Sequence, residues 1–163
     1  MALYLVQHGK SLSKDVDPDQ GLSEEGTAET RRIAQVARDY QVPIAQIKQS
    51  GKKRARQTAE IFAGALKPAG GVEEVSGLKP LDDVTAFAAN IDAAADTMLV
   101  GHLPFMAKLA SYLLSDNTDK IALEFKAGGM AYLEYQDNRW ILKWLINPDI
   151  NPDGESSHFE SYH

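Results

Sequence analysis

The sequence predicts an α/β fold: a three-layer helix–sheet–helix sandwich with a mostly parallel, mixed sheet and an antiparallel hairpin at its C-terminal end. Three observations carry this expectation. Strand-like apolar runs alternate with stretches of helical periodicity along most of the chain. Leu3-Tyr4-Leu5-Val6 and Met98-Leu99-Val100 are apolar throughout, as strands covered on both faces are. Residues 130–135 and 139–146 read as two strands joined by a turn at Gln136-Asp137-Asn138, too close in sequence for anything but an antiparallel pair.

The elements follow in order. Residues 2–7 are a buried strand, and the polar stretch 10–21 is a loop over its end. Ser23 precedes Glu24 and Glu25, an N-cap followed by acids in a first turn, and Ile33, Val36, Ala37 and Tyr40 keep helical spacing, so a helix spans about 23–40. Pro43 ends it, and 44–49 is the next strand. Residues 53–66 form a helix with Ile61, Phe62 and Leu66 on one face; Lys67-Pro68-Ala69-Gly70-Gly71 is a turn, and 72–75 a short strand. Val84, Phe87, Ala88 and Ile91 predict a helix over 83–94, before a strand at 97–100. Pro104 suits the first turn of the helix that continues through Met106, Leu109, Ala110 and Leu113. Residues 1–148 are expected to form one domain and 149–163 a polar tail.

Composition narrows the function classes. The chain has 163 residues, enough for one core, and a formal net charge of −6, which disfavours nucleic acid and anionic membrane surfaces as partners. Cysteine is absent, which removes disulfides, thiolate nucleophiles and cysteine–zinc sites, and so any cysteine-dependent phosphatase. No signal peptide or membrane span is legible, so the expected location is cytoplasmic, and a monomer is the default.

The chemistry gathers at strand ends. His8 follows the first buried run and His102 follows the run at 98–100; between them, Ser50-Gly51-Lys52-Lys53-Arg54-Ala55-Arg56-Gln57-Thr58 is a cationic strand-to-helix junction. Ligands of open α/β sheets bind at the carboxyl ends of the strands. Two imidazoles and a guanidinium placed there suit a phosphoryl group. His8 attacks phosphorus through a neutral ring nitrogen, provided that its other nitrogen donates to a backbone carbonyl and fixes the tautomer. Gly9 leaves room for an approaching phosphate. Arg54 bonds two phosphate oxygens with its planar fork, and His102 steadies charge on the transferring group as a cation or a neutral donor. Each residue alone has a structural reading; the joint pattern points to a site.

Four blocks carry a family resemblance: Val6-Gln7-His8-Gly9, Leu22-Ser23-Glu24-Glu25-Gly26, Ser50 with Arg54-Ala55 and Gln57-Thr58, and Val100-Gly101-His102-Leu103-Pro104. In this order they resemble the histidine phosphatase superfamily, with its phosphoglycerate mutase-like fold. The His-Leu-Pro block and Trp144-Leu145-Ile146-Asn147-Pro148 look most like its small phosphohistidine phosphatase, SixA-like branch. The resemblance implies that His8 is the transiently phosphorylated nucleophile and that Arg54 and His102 line the phosphate pocket. It implies hydrolysis of phosphohistidine on a partner protein, with no metal and no organic cofactor.

The chain departs from that pattern. Gln7 stands where the family has Arg, and Gln20 where many of the branch have another. Two charge-assisted bonds of roughly 1.5–3 kcal/mol each are exchanged for neutral ones. Gln7 still donates through its amide, and Lys10 is placed to swing in and restore one charge, whereas Lys52 and Lys53 read as solvated surface lysines. The expected phosphate-binding set is Gln7, Gly9, Lys10, Arg54 and His102. Larger relatives carry an acid that protonates an alkoxide leaving group; here Lys79 holds about that place, with Asp82 and Asp83 next, read as helix caps or as a tuned acid. A phosphomonoesterase for a small phosphorylated metabolite, which needs such an acid, and a non-catalytic phosphate-binding module, prompted by Gln7 and Gln20, remain as alternatives. Asp149, Asn151, Asp153, Gly154 and Glu160 match calcium-loop spacing without the flanking helices, and read as an acidic tail.

Overall fold

The computed structural model describes residues 2–149, so the tail and its calcium-loop spacing beyond Asp149 lie outside the described residues. The elements run β1 (Ala2–Gln7), α1 (Glu24–Asp39), β2 (Gln46–Gln49), α2 (Lys53–Leu66), β3 (Val72–Glu74), α3 (Val84–Ala88), β4 (Thr97–Gly101), α4 (Phe105–Ser115), β5 (Met130–Gln136) and β6 (Arg139–Ile146). They form a six-stranded sheet in the order β3-β2-β4-β1-β5-β6. The pairs β1–β4, β2–β4 and β2–β3 are parallel; β5 pairs antiparallel with β1, and β6 with β5. This is the mixed three-layer sandwich that the alternation of runs predicts.

Period-two geometry explains why β1 is apolar throughout. Alternate residues face opposite layers. Tyr4 and Val6 join Ile33, Ala34 and Ala37 of α1 and Phe62 of α2 in one core, while Leu3 and Leu5 join Phe105, Met106 and Leu109 of α4 in the other. The hairpin turns at Asp137 and Asn138, both left-handed (φ 53° and 63°), as a type I′ turn requires.

Three boundaries differ from expectation. The helix over 83–94 closes after Val84–Ala88. Asn90 Nδ2 donates to Ala86 O, and Asp92 Oδ1 accepts from Ala94 N–H, so polar side chains take over backbone partners that a longer helix would use. Pro104 is the N-cap of α4 rather than a residue of its first turn. The second strand begins at Gln46, because Ala45 and Gln46 N–H both donate to Asp96 O ahead of the ladder.

Candidate active site

Register positions the two histidines. Gln7 is the partner of Gly101 in the parallel β1–β4 pair, so His8 and His102 leave adjacent strands side by side, and His8 N–H donates to Gly101 O at 3.1 Å. The chain then departs from β1 toward the α1 layer and from β4 toward the α4 layer. That divergence opens a crevice between the two strand ends. The imidazole centroids stand 5.0 Å apart there, at 53°. β2 ends beside β4, and the turn after it delivers the start of α2, which places the Arg54 Nε–H 3.3 Å from His8 Nε2.

The tautomer of His8 is fixed locally. Its Nδ1–H donates to Gly9 O at 2.7 Å, which leaves the unshared pair on Nε2, the nitrogen facing Arg54. Burial holds this imidazole down to a pKa of about 4, with the Gly9 carbonyl opposing and the Arg54 charge reinforcing the shift. The ring is therefore neutral and nucleophilic at pH 7. Arg54 Nε–H occupies the Nε2 lone pair, so an incoming phosphoryl group must exchange that bond for guanidinium–oxygen bonds.

His102 is almost fully buried, and burial, followed by the charges of His8, Arg54 and Lys52, lowers its pKa to about 3. Its Nε2 lies 2.6 Å from Ser50 Oγ. Ser50 Oγ also accepts from Lys52 N–H at 3.4 Å; when its own hydroxyl proton is donated to Nε2, the ring proton sits on Nδ1. Nδ1 has no partner among the described residues. Buried polar groups are paired in almost every case, so an orphaned donor beside a nucleophile is a place for an acceptor oxygen. Of the two roles open to His102, the neutral donor is the one this environment supports.

The structure thus brings His8, Arg54 and His102 together. It treats the remaining sequence candidates differently. Gln7 is buried beneath the site, with its Oε1 unpartnered among the described residues. Packing by itself requires glycine at position 9: a Cβ there falls 2.5 Å from Thr30 Oγ1 and 3.1 Å from Gly26 O, and its N–H donates to Thr58 Oγ1 at 3.0 Å. Lys10 is drawn away toward α1, where its Nζ pairs with Glu25 at 2.8 Å and Glu29 at 3.4 Å. Asp83 caps α3, accepting from Ala86 N–H and Thr85 Oγ1–H, and Asp82 accepts from Lys79 N–H. The backbone bond from Ala86 lowers the pKa of Asp83, the opposite of what a general acid needs.

Two residues of the motif blocks have parts that sequence reasoning did not assign. Ser50 orients His102, and Thr58 ties the Gly9 loop to α2, since it accepts from Gly9 N–H and donates to Arg54 O at 2.8 Å. The available signal was spacing: Ser50, Arg54 and Thr58 recur every four residues.

Two neutral imidazoles and a guanidinium gathered at strand ends of a mixed α/β sheet are groups suited to holding a phosphoryl group. A family model described as the histidine phosphatase superfamily (branch 1) matches residues 3–84. An uncharacterized protein of Picosynechococcus sp. is 32% identical over 166 residues, covering 90% of this chain and 99% of that protein. The chain belongs to the histidine phosphatase superfamily, branch 1. Among solved structures, the protein histidine phosphatase SixA complexed with tungstate superposes with a TM-score of 0.80 at 23% identity, over 91% of this chain and 97% of that one. A putative phosphohistidine phosphatase SixA from Agrobacterium tumefaciens gives 0.73 at 26% identity, over 89% and 96%. A mycobacterial glucosyl-3-phosphoglycerate phosphatase gives 0.70 at 18%, over 88% and 97%, which extends the likeness of fold to an enzyme named for a small phosphorylated metabolite.

Proposed function

We propose that this protein hydrolyses phosphohistidine on a partner protein, with His8 as the nucleophile. His8 Nε2 attacks phosphorus in line, the phosphorus–nitrogen bond to the substrate imidazole breaks, and the imidazole departs with a proton taken from solvent. Water then cleaves the phosphorus–nitrogen bond on His8 and releases inorganic phosphate. Arg54 and the Nδ1–H of His102 bond the phosphoryl oxygens throughout.

The observation that carries this reading is the His8 tautomer, an Nδ1–H held by Gly9 O with the Nε2 pair facing Arg54, in a ring whose centroid lies 5.0 Å from that of His102. The choice of a phosphoramidate over an alkyl ester is supported by Asp82 and Asp83, both engaged in capping bonds. An imidazole leaves without a dedicated acid, whereas an alkoxide does not. The test is hydrolysis of a phosphohistidine peptide beside an aliphatic phosphomonoester. Wild type should cleave the first far faster, and His8→Ala should abolish turnover and the acid-labile phosphate trapped on the protein. Preference for the ester, with loss of activity in Asp82→Asn or Asp83→Asn, would overturn the substrate assignment.

A further inference from the structure

Gln7 and Gln20 are uncharged and both imidazoles are held neutral, and the structure shows where further positive charge is available. Lys10 follows Gly9 in the chain, and Lys52 and Lys53 precede Arg54. Lys10 is bound to Glu25 and Glu29, and Lys53 Nζ to Asp17 at 2.9 Å. Arg56 leans on Glu60 along α2. Among the described residues, Lys52 has no carboxylate within ion-pairing distance. Glu74, the acid packed against neighbouring Gly51, is no exception: a Cβ on Gly51 would meet it at 2.8 Å, yet it forms no ion pair with Lys52.

The position of Lys52 is fixed from both sides. It is the extended N-cap of α2 (φ −69°, ψ 141°), two residues ahead of Arg54, and its side chain makes no capping bond. Its backbone N–H reaches Ser50 Oγ, which in turn lies 2.6 Å from His102 Nε2. Gly51, at φ 94°, makes the turn that brings it there.

We propose that Lys52 is a phosphate-binding residue whose ammonium supplies the charge that Gln7 and Gln20 do not. Its charge is already felt at His102, whose protonated form it disfavours. Lys52 is only partly buried whereas Gln7 is 6% exposed, so the ammonium is the one of the two that can meet phosphoryl oxygens from the solvent side. The proposal rests on the reading of the site given above and adds a residue to it.

The test is titration of inorganic phosphate into wild type, Lys52→Gln, Lys52→Arg and Arg56→Gln, at low and high salt, with far-UV circular dichroism as the check on folding. Lys52→Gln should weaken phosphate binding about tenfold and flatten its salt dependence, since a partly exposed ion contact is lost. Lys52→Arg should bind nearly as wild type, and Arg56→Gln should bind and turn over unchanged. Gln7→Arg in the Lys52→Gln background should recover affinity. Phosphate affinity in folded Lys52→Gln equal to that of wild type would overturn the proposal. The outcome is separable from that of the hydrolysis assay. Unaltered phosphate affinity in Lys52→Gln beside intact His8-dependent turnover removes Lys52 alone. Weakened affinity in a protein that does not cleave phosphohistidine removes the substrate assignment and leaves Lys52 in place.

Discussion

The nucleophilic role proposed for His8 requires a neutral ring, and its surroundings keep it so. Burial lowers its pKa from 6.5 to about 4. The acid limb of kcat/KM on a phosphohistidine peptide should therefore fall near pH 4, not near 6.5; a limb near 6.5 would show that the imidazole is solvated in the working enzyme. Ser50 is testable in the same way. Ser50→Ala leaves His102 Nε2 buried without its partner and releases the ring from its tautomer. Turnover should drop roughly tenfold, in line with one neutral hydrogen bond of about 1–1.5 kcal/mol, and Ser50→Thr should restore most of it. Equal activity in Ser50→Ala would mean that another group orients the ring. Both residues were visible in the sequence, but only His8 could be given a task there. The hydroxyl of Ser50 matters because of a ring that lies 52 positions away in the chain.

Secondary structure elements were legible where local chemistry decides them. Ser23 accepts from Gly26 N–H at 3.0 Å, as an N-cap should, and α1 and α2 begin and end within a residue of expectation. The misplaced end of α3 belongs to a short apolar pattern that Asn90 and Asp92 interrupt. Between elements, contact decides identity. Gly26 lies in the first turn of α1, where glycine is a poor helix former, and a Cβ there would fall 2.1 Å from Lys10 O. The same approach allows Ser23 N–H to donate to Lys10 O, which pins the loop following His8 onto the helix start. Gly26→Ala should thus destabilise the fold by about 1–3 kcal/mol and lower turnover together, read as a reduced thermal midpoint and a reduced kcat. A variant as stable and active as wild type would show that loop and helix can separate without consequence.

At the scale of the molecule, the sheet carries a core on each face and an uncharged pair of imidazoles at the carboxyl ends of its two central strands. Those imidazoles couple stability to pH. In the unfolded chain both bind protons below pH 6.5; in the folded chain His8 resists to about 4 and His102 to about 3. The unfolded state holds more protons between these values, so the stabilisation is complete above pH 6.5 and is lost as pH falls toward 4. Denaturant midpoints should be lower at pH 5 than at pH 7, with a smaller difference in His8→Asn/His102→Asn. Identical midpoints at the two pH values in wild type would contradict the buried neutral pair. The sequence by itself determined the layer order, the strand ends at which His8, Arg54 and His102 gather and the family, because these follow from periodicity, capping and short motifs, all local to the chain. Only the tertiary structure decided that Gly9 serves packing, that Lys10 and Lys53 are bound to acids while Lys52 is not, and that Ser50 is the hydrogen-bond partner of His102. These depend on which side chains meet across the strand register and between α1, α2 and the sheet, and no local pattern encodes a partner so remote.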